Sequence, residues 1–104
     1  MTSSSLTQKT TDAGTFFVNE EGKAQGRATF YYDKEHTQVR RTQMFVNDRQ
    51  HGLDSIWRRD GTKHFDTWWE NGKRMKEFEY DVDGNIVDTT EWKANGERKT
   101  RGDL

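Results

Sequence analysis

Three histidines, one mid-chain serine and a dense set of carboxylates are the side chains through which this chain would do chemistry. His36, His51 and His64 each lack a second ligand at metal-site spacing. His64 and Asp66, two residues apart, would share one face of a strand and offer an acid/base pair. A serine triad would have to use Ser55, because the other serines are Ser3, Ser4 and Ser5, and no strained nucleophile turn surrounds it. Gly22-Lys23-Ala24-Gln25-Gly26-Arg27 has neither the spacing nor the Lys-Ser/Thr of a phosphate loop. Without cysteine there is no disulfide framework, thiol nucleophile or thiolate zinc site. These residues form no catalytic constellation, so the expectation is a non-enzyme with no catalytic residues, no metal and no cofactor.

The elements that would position such residues follow from a repeat. Trp57-Arg58-Arg59-Asp60-Gly61, Trp68-Trp69-Glu70-Asn71-Gly72, Tyr80-Asp81-Val82-Asp83-Gly84 and Trp92-Lys93-Ala94-Asn95-Gly96 each place an aromatic a few residues before Asp-Gly or Asn-Gly. Phe45-Val46-Asn47-Asp48-Arg49 keeps the phase with Arg in the glycine slot, and copies near Tyr31 and Phe17 are looser. Asp-Gly and Asn-Gly favour tight hairpin turns, and here they recur at the length of one strand plus one turn. Between them apolar residues alternate rather than follow a helical period: Ser55 and Trp57 face one way, Ile56 the other. The expected fold is all-β, a single-layer twisted antiparallel meander of six to eight strands. Residues 1–14 are expected to be a flexible tail, 15–98 the repeat domain and 99–104 a frayed C-terminus.

Composition agrees with that shape. Hydrophobic residues make up 29% of the 104 residues and proline is absent, yet six Phe, four Trp and three Tyr are present. Disordered chains seldom carry so many aromatics, and an uninterrupted ladder has no place for proline. Phe45, Trp57, Trp68, Tyr80 and Trp92 are expected to line up across neighbouring strands as one aromatic row.

The recurring aromatic-x-x-Asp/Asn-Gly unit, with Arg49-Gln50-His51-Gly52 after a turn, resembles MORN repeats, and is most similar to the variant in small bacterial antitoxin-like proteins. The resemblance spans about residues 16 to 97. Only His51-Gly52 reproduces the family's His-Gly pair, so the fold carries over further than any activity. It implies an elongated sheet of hairpin repeats and protein binding rather than catalysis.

Charge is uneven although the net is -1. Residues 77–91 hold six acids and no base, whereas 37–76 hold nine Lys or Arg against five acids. Glu77, Glu79 and Asp81 are expected on one face, with Asp83 in the following turn. Such a patch suits a basic partner. A near-neutral balance argues against nucleic acid and membrane surfaces. No apolar stretch approaches a membrane span and no signal sequence is recognisable, which gives a cytoplasmic expectation.

The sequence therefore points to a protein-binding module that neutralises a partner: an antitoxin, an immunity protein or an inhibitor of a bacterial defence enzyme. Its contacts are expected at Trp57, Trp68, Trp69, Tyr80 and Trp92 with Glu77, Glu79, Asp81 and Asp83. The alternatives are a homo-oligomeric scaffold, a homodimer being the simplest form, and a nucleic-acid or phospholipid binder using the basic aromatic half.

Overall fold

Turn chemistry sets the architecture. In the loop after Trp57, the Arg58 N–H bonds the Thr62 carbonyl (2.8 Å) and the Gly61 N–H bonds the Arg58 carbonyl (3.0 Å). Gly61 closes the loop at φ 89°, a left-handed conformation that costs a residue with a Cβ. Asp81–Asn85 repeats this loop around Gly84, and Asn19–Lys23 and Lys93–Glu97 repeat it again. The aspartate or asparagine has its own role, since its side chain accepts backbone N–H groups within the loop: Asp60 from Thr62, Asn19 from Glu21, Asn95 from Glu97. Two-residue turns occur at Asn47-Asp48 and Asn71-Gly72. Asp48, at φ 70°, thus fills the position that the repeat pattern gave to Arg49.

The computed structural model describes residues 5–99, and in them these turns connect one antiparallel sheet with no helix. Its strands are β1 (Thr7–Thr10), β2 (Gly14–Val18), β3 (Gly26–Tyr31), β4 (Val39–Val46), β5 (Arg49–Gln50), β6 (Gly52–Trp57), β7 (Lys63–Glu70), β8 (Lys73–Tyr80) and β9 (Ile86–Glu91). The order is β1-β2-β3-β4-β6-β7-β8-β9, with the short β5 beside β4. Every connection is a hairpin except that from β5 to β6, which both pair with β4 on either side of His51. The expected meander is present, with nine strands. The stretch read as a tail contributes β1, whose Thr7–Thr10 pairs with Val18–Thr15 through the backbone alone and has no apolar residue to betray it. Residues 1–4 and 100–104 of the two expected ends lie outside the described residues.

Among the described residues the sheet has no second layer. The molecule measures 48 × 34 × 20 Å with a radius of gyration of 15.8 Å, against about 13 Å for a compact domain of this length. Its accessible surface is 7138 Å², whereas a globular chain of this mass exposes about 6,100 Å². Among the described residues Ala28 is the one buried hydrophobic side chain. Asp54 and Ser55, each 3% exposed, lie beneath longer neighbours at the middle of the sheet.

Cross-strand register defines two faces. The front carries Thr29, Thr42, Ser55, Asp66, Phe78 and Thr89 in one row; the back carries Phe30, Arg41, Ile56, Phe65, Glu79 and Asp88. Bulges interrupt the alternation: the pairing skips Arg40, His64, Met75 and Val87. A bulge doubles two residues against one and re-aims the side chain.

Polar pairs, one on each face, occupy the centre. On the back, Arg41 holds Asp54 through two of its three guanidinium nitrogens (Nε–Oδ1 2.9 Å, Nη2–Oδ2 2.6 Å). On the front, Asp66 accepts from Ser55 (2.5 Å) and from the Tyr80 hydroxyl (3.0 Å), with Lys63 Nζ 3.3 Å away. The Arg41 side chain is 32% exposed and Asp54 3%, so loss of either partner has unequal consequences. Arg41→Met strands a buried carboxylate and is expected to cost about 3–5 kcal/mol; Asp54→Ala frees a guanidinium that can turn to water, at roughly 2 kcal/mol. Urea unfolding followed by tryptophan fluorescence measures both, and equal losses would contradict the asymmetry.

Candidate protein-binding faces and edge

In a meander successive turns fall at opposite ends, and this separates the aromatics. The upper end holds the loops after Tyr31, Trp57 and Tyr80; the lower end holds those after Phe45, Trp69 and Trp92. Trp57 and Tyr80 stand on the front at the upper end, across from Lys63 and Ile86. Trp68 stands on the front near the lower end between Leu53 and Lys76. Phe45, Trp69 and Trp92 belong to the back. The single aromatic row expected from the spacing is therefore replaced by clusters at opposite ends and faces.

Each candidate aromatic has a distinct environment. The Trp57 ring takes Lys63 Nζ 5.5 Å from its centroid, and its carbonyl accepts the Tyr32 hydroxyl. Tyr80 is tied to Asp66, and desolvation followed by that hydrogen bond pushes its phenol above the usual value. Trp92 is covered by the Arg74 guanidinium at 4.5 Å, and Arg74 lies directly across from Trp69. Trp69 is half-buried with its indole N–H enclosed and unpartnered, as is the Gln50 side-chain oxygen. Trp68 differs from the others: it is 47% exposed with its ring free of a stacked cation among the described residues.

The carboxylates also divide. Glu77 and Glu79 share the back face, where Glu77 accepts from the Thr67 hydroxyl (2.8 Å) and Glu79 lies 3.4 Å from His64. Asp81 is not part of that face. Its carboxylate turns into its own loop and accepts the N–H groups of Asp83 and Asn85, which hold its pKa below the ordinary value. Asp83 is exposed in the same loop. His64 and Asp66, expected together, point to opposite faces because His64 occupies a bulge and packs on Phe65, 4.0 Å between rings. No three His, Asp or Glu among the described residues converge as a metal site.

Sequence reasoning missed the outer edge at β9. Val82, Ile86 and Val87 are each more than half exposed, beside Asp83 and Asp88. The signal available was Ile86-Val87, an aliphatic pair inside the acidic stretch. Two open depressions mark the upper front face, one lined by Val39, Thr42 and Trp57, the other by Lys63, Asp66, Tyr80 and Val82.

Two substitutions test these assignments. Trp69→Phe removes an orphaned donor along with some ring area, so stability is expected to change by less than about 1 kcal/mol, against about 3–5 kcal/mol for Trp69→Ala. A loss above 2 kcal/mol on Trp69→Phe in urea unfolding would mean that the indole N–H has a partner. Asp33, Asp60 and Asp81 all have lowered pKa values caused by hydrogen bonds within their loops. Their contribution is present above the unfolded value of about 3.8 and is lost as pH falls through the lower folded values. The thermal midpoint is expected to drop between pH 4 and pH 2, and Asp81→Ala to show a smaller drop over that range.

Comparison with known proteins finds no family model that matches the chain and no curated protein similar to it.

Proposed function

We propose that this chain is a non-enzymatic protein-binding module, a MORN-like hairpin sheet that neutralises a partner protein, as antitoxins, immunity proteins and inhibitors of defence enzymes do. The observation that carries this reading is Trp68, nearly half exposed at the lower end of a broad front face. An exposed tryptophan on a rigid strand offers a large contact area with little conformational entropy to lose, the profile of an interface hot spot.

The rest of that face supports the same role. Its central polar groups, Ser55, Asp66 and Tyr80, are already bonded to one another, so covering them strips few hydrogen bonds from water. Lys76 lies beside Trp68, and Lys63 tops the Trp57 ring at the far end, which gives the face apolar anchors with charged surroundings. Trp57, Trp68 and Tyr80 are the contact residues on this reading. Trp69 and Trp92 serve the back, where Arg74 covers Trp92 and lies across from Trp69.

A photo-crosslinking residue at position 68, compared with one at Glu20, identifies the partner in the native host. The purified partner is then titrated by calorimetry. Trp68→Ala is expected to weaken binding at least tenfold while leaving the circular dichroism spectrum unchanged. Unchanged affinity would remove the front face from the interface. Crosslinks solely to a second copy of this chain would favour a homo-oligomeric scaffold instead.

A further inference from the structure

The two edges of the sheet are not equivalent. β1 is four residues long, polar throughout and carries Lys9, features that discourage pairing with another strand. β9 is six residues long and has neither lysine nor proline, and it exposes Ile86 and Val87 next to Val82. Glu91 directs its main chain outward, and the returning chain takes that end of the edge: the Lys99 N–H bonds the Glu91 carbonyl, Arg98 bridges Trp92, and the Arg98 guanidinium donates to the Thr90 hydroxyl (3.2 Å). By the alternation of an antiparallel strand, Thr89 directs its N–H and C=O outward as well. Apart from residues 98 and 99 at its Glu91 end, no segment among the described residues pairs with the outer side of β9.

The side chains on this edge are poised for a particular neighbour. Asp88 is paired directly across from Glu79 on the back face, a like-charge juxtaposition that is unfavourable by itself. Asp88 is exposed and has no ion-pair or hydrogen-bond partner among the described residues, and Asp83 stands exposed in the adjoining loop. On the front face the same edge offers Ile86 beside Tyr80. A strand added here would meet acid on the back and apolar surface on the front.

The geometry points to β9 as the docking edge for an extended, basic segment of a partner protein, which adds as an antiparallel strand with Lys or Arg facing Asp88 and an apolar residue facing Ile86. This rests on the protein-binding role and specifies the chemistry of the partner. A second copy is a poorer occupant. Antiparallel self-pairing of β9 would set two strands that each carry Asp88 and Glu91, and no base, against each other. Strand addition supplies main-chain hydrogen bonds for affinity and alternating side chains for selectivity.

The probe is a nine-residue peptide alternating lysine with valine and threonine, titrated into the full chain and followed by amide chemical shifts. A glutamate-for-lysine counterpart serves as control. The expected result is saturable shifts confined to residues 81–91 with the basic peptide and none with the acidic one. Thr89→Pro, which removes an outward donor without touching the β8 ladder, is expected to weaken binding at least tenfold. Asp88→Lys is expected to reverse the charge preference; it decides the matter alone if the proline variant does not fold. Equal binding of the two peptides, shifts centred elsewhere, or indifference to both substitutions would overturn the proposal. So would concentration-dependent polymerisation abolished by Lys9→Glu, which would make β1 of another copy the occupant. Loss of peptide binding with Trp68-dependent partner binding intact refutes the edge alone, not the protein-binding role.

Discussion

The centre of this sheet is held by carboxylates, and the rest of the structure accommodates that fact. A single layer cannot place an aliphatic core between two sheets, so each face must cover its own backbone with whatever side chains reach across it. Asp54 on the back and Asp66 on the front lie on neighbouring strands and are buried within one sheet thickness. Neither could remain there without donors, since a buried charge is tolerated only when its lone pairs are occupied. Arg41 closes the first pair across β4 and β6; Ser55, Tyr80 and Lys63 close the second across β6, β7 and β8. Four adjacent strands are thereby clamped by side chains as well as by the ladder. The clamps also fix register, because a slip of one residue would send each carboxylate to the wrong face.

How far the sequence discloses this depends on which length scale is asked about. Turns were legible, because Asp-Gly and Asn-Gly act locally: the glycine needs only its own φ and the Asx side chain only the next few N–H groups. The meander followed from their spacing. Faces were not legible, and the reason is the bulge. One unpaired residue at His64 reverses the alternation between His64 and Asp66, so two residues that strict period-two counting puts side by side end on opposite surfaces. Nothing in the residue type at Arg40, His64, Met75 or Val87 announces that it will be skipped. The aromatic row failed for a topological reason that was available in principle: hairpin turns alternate between ends, so residues preceding successive turns cannot stack. β1 was hidden for a third reason, since Thr-Gln-Lys-Thr joins the sheet by main-chain bonds that any sequence can make.

The candidate site shows the same division between local and non-local information. Trp68 and Trp69 were recognisable as a doubled aromatic of which alternation allows one per face. Which of them would be free could not be read from that dipeptide, because it depends on Arg74 reaching the back face through the bulge at Met75 and stacking on Trp92. The acidic stretch was equally visible as composition and equally mixed in role. Asp81 is consumed by its loop, Glu77 and Glu79 have neighbours on β7, and Asp88 alone on β9 is left opposite another acid. Charge counting assigns these residues one function; hydrogen-bond geometry assigns them three.

A thin sheet has more surface than it needs for stability, and the distribution of that surface is selective. The back face uses its aromatics internally, with Arg74 against Trp92 and Trp69 enclosed. At β1 the edge is guarded by polarity and a lysine. What remains is a front face with a free tryptophan and an edge that residues 98 and 99 cover at its Glu91 end alone among the described residues, and the two adjoin through Tyr80 and Ile86. A partner that adds a strand to β9 would extend the front face rather than lie on it, bringing its own side chains level with Tyr80. The two surfaces can therefore be engaged by one protein at once, and with linked contacts the second forms at the high effective concentration set by the first. On the proposed binding role, a domain with almost no apolar core would draw its affinity from the apolar area that it does not bury in folding.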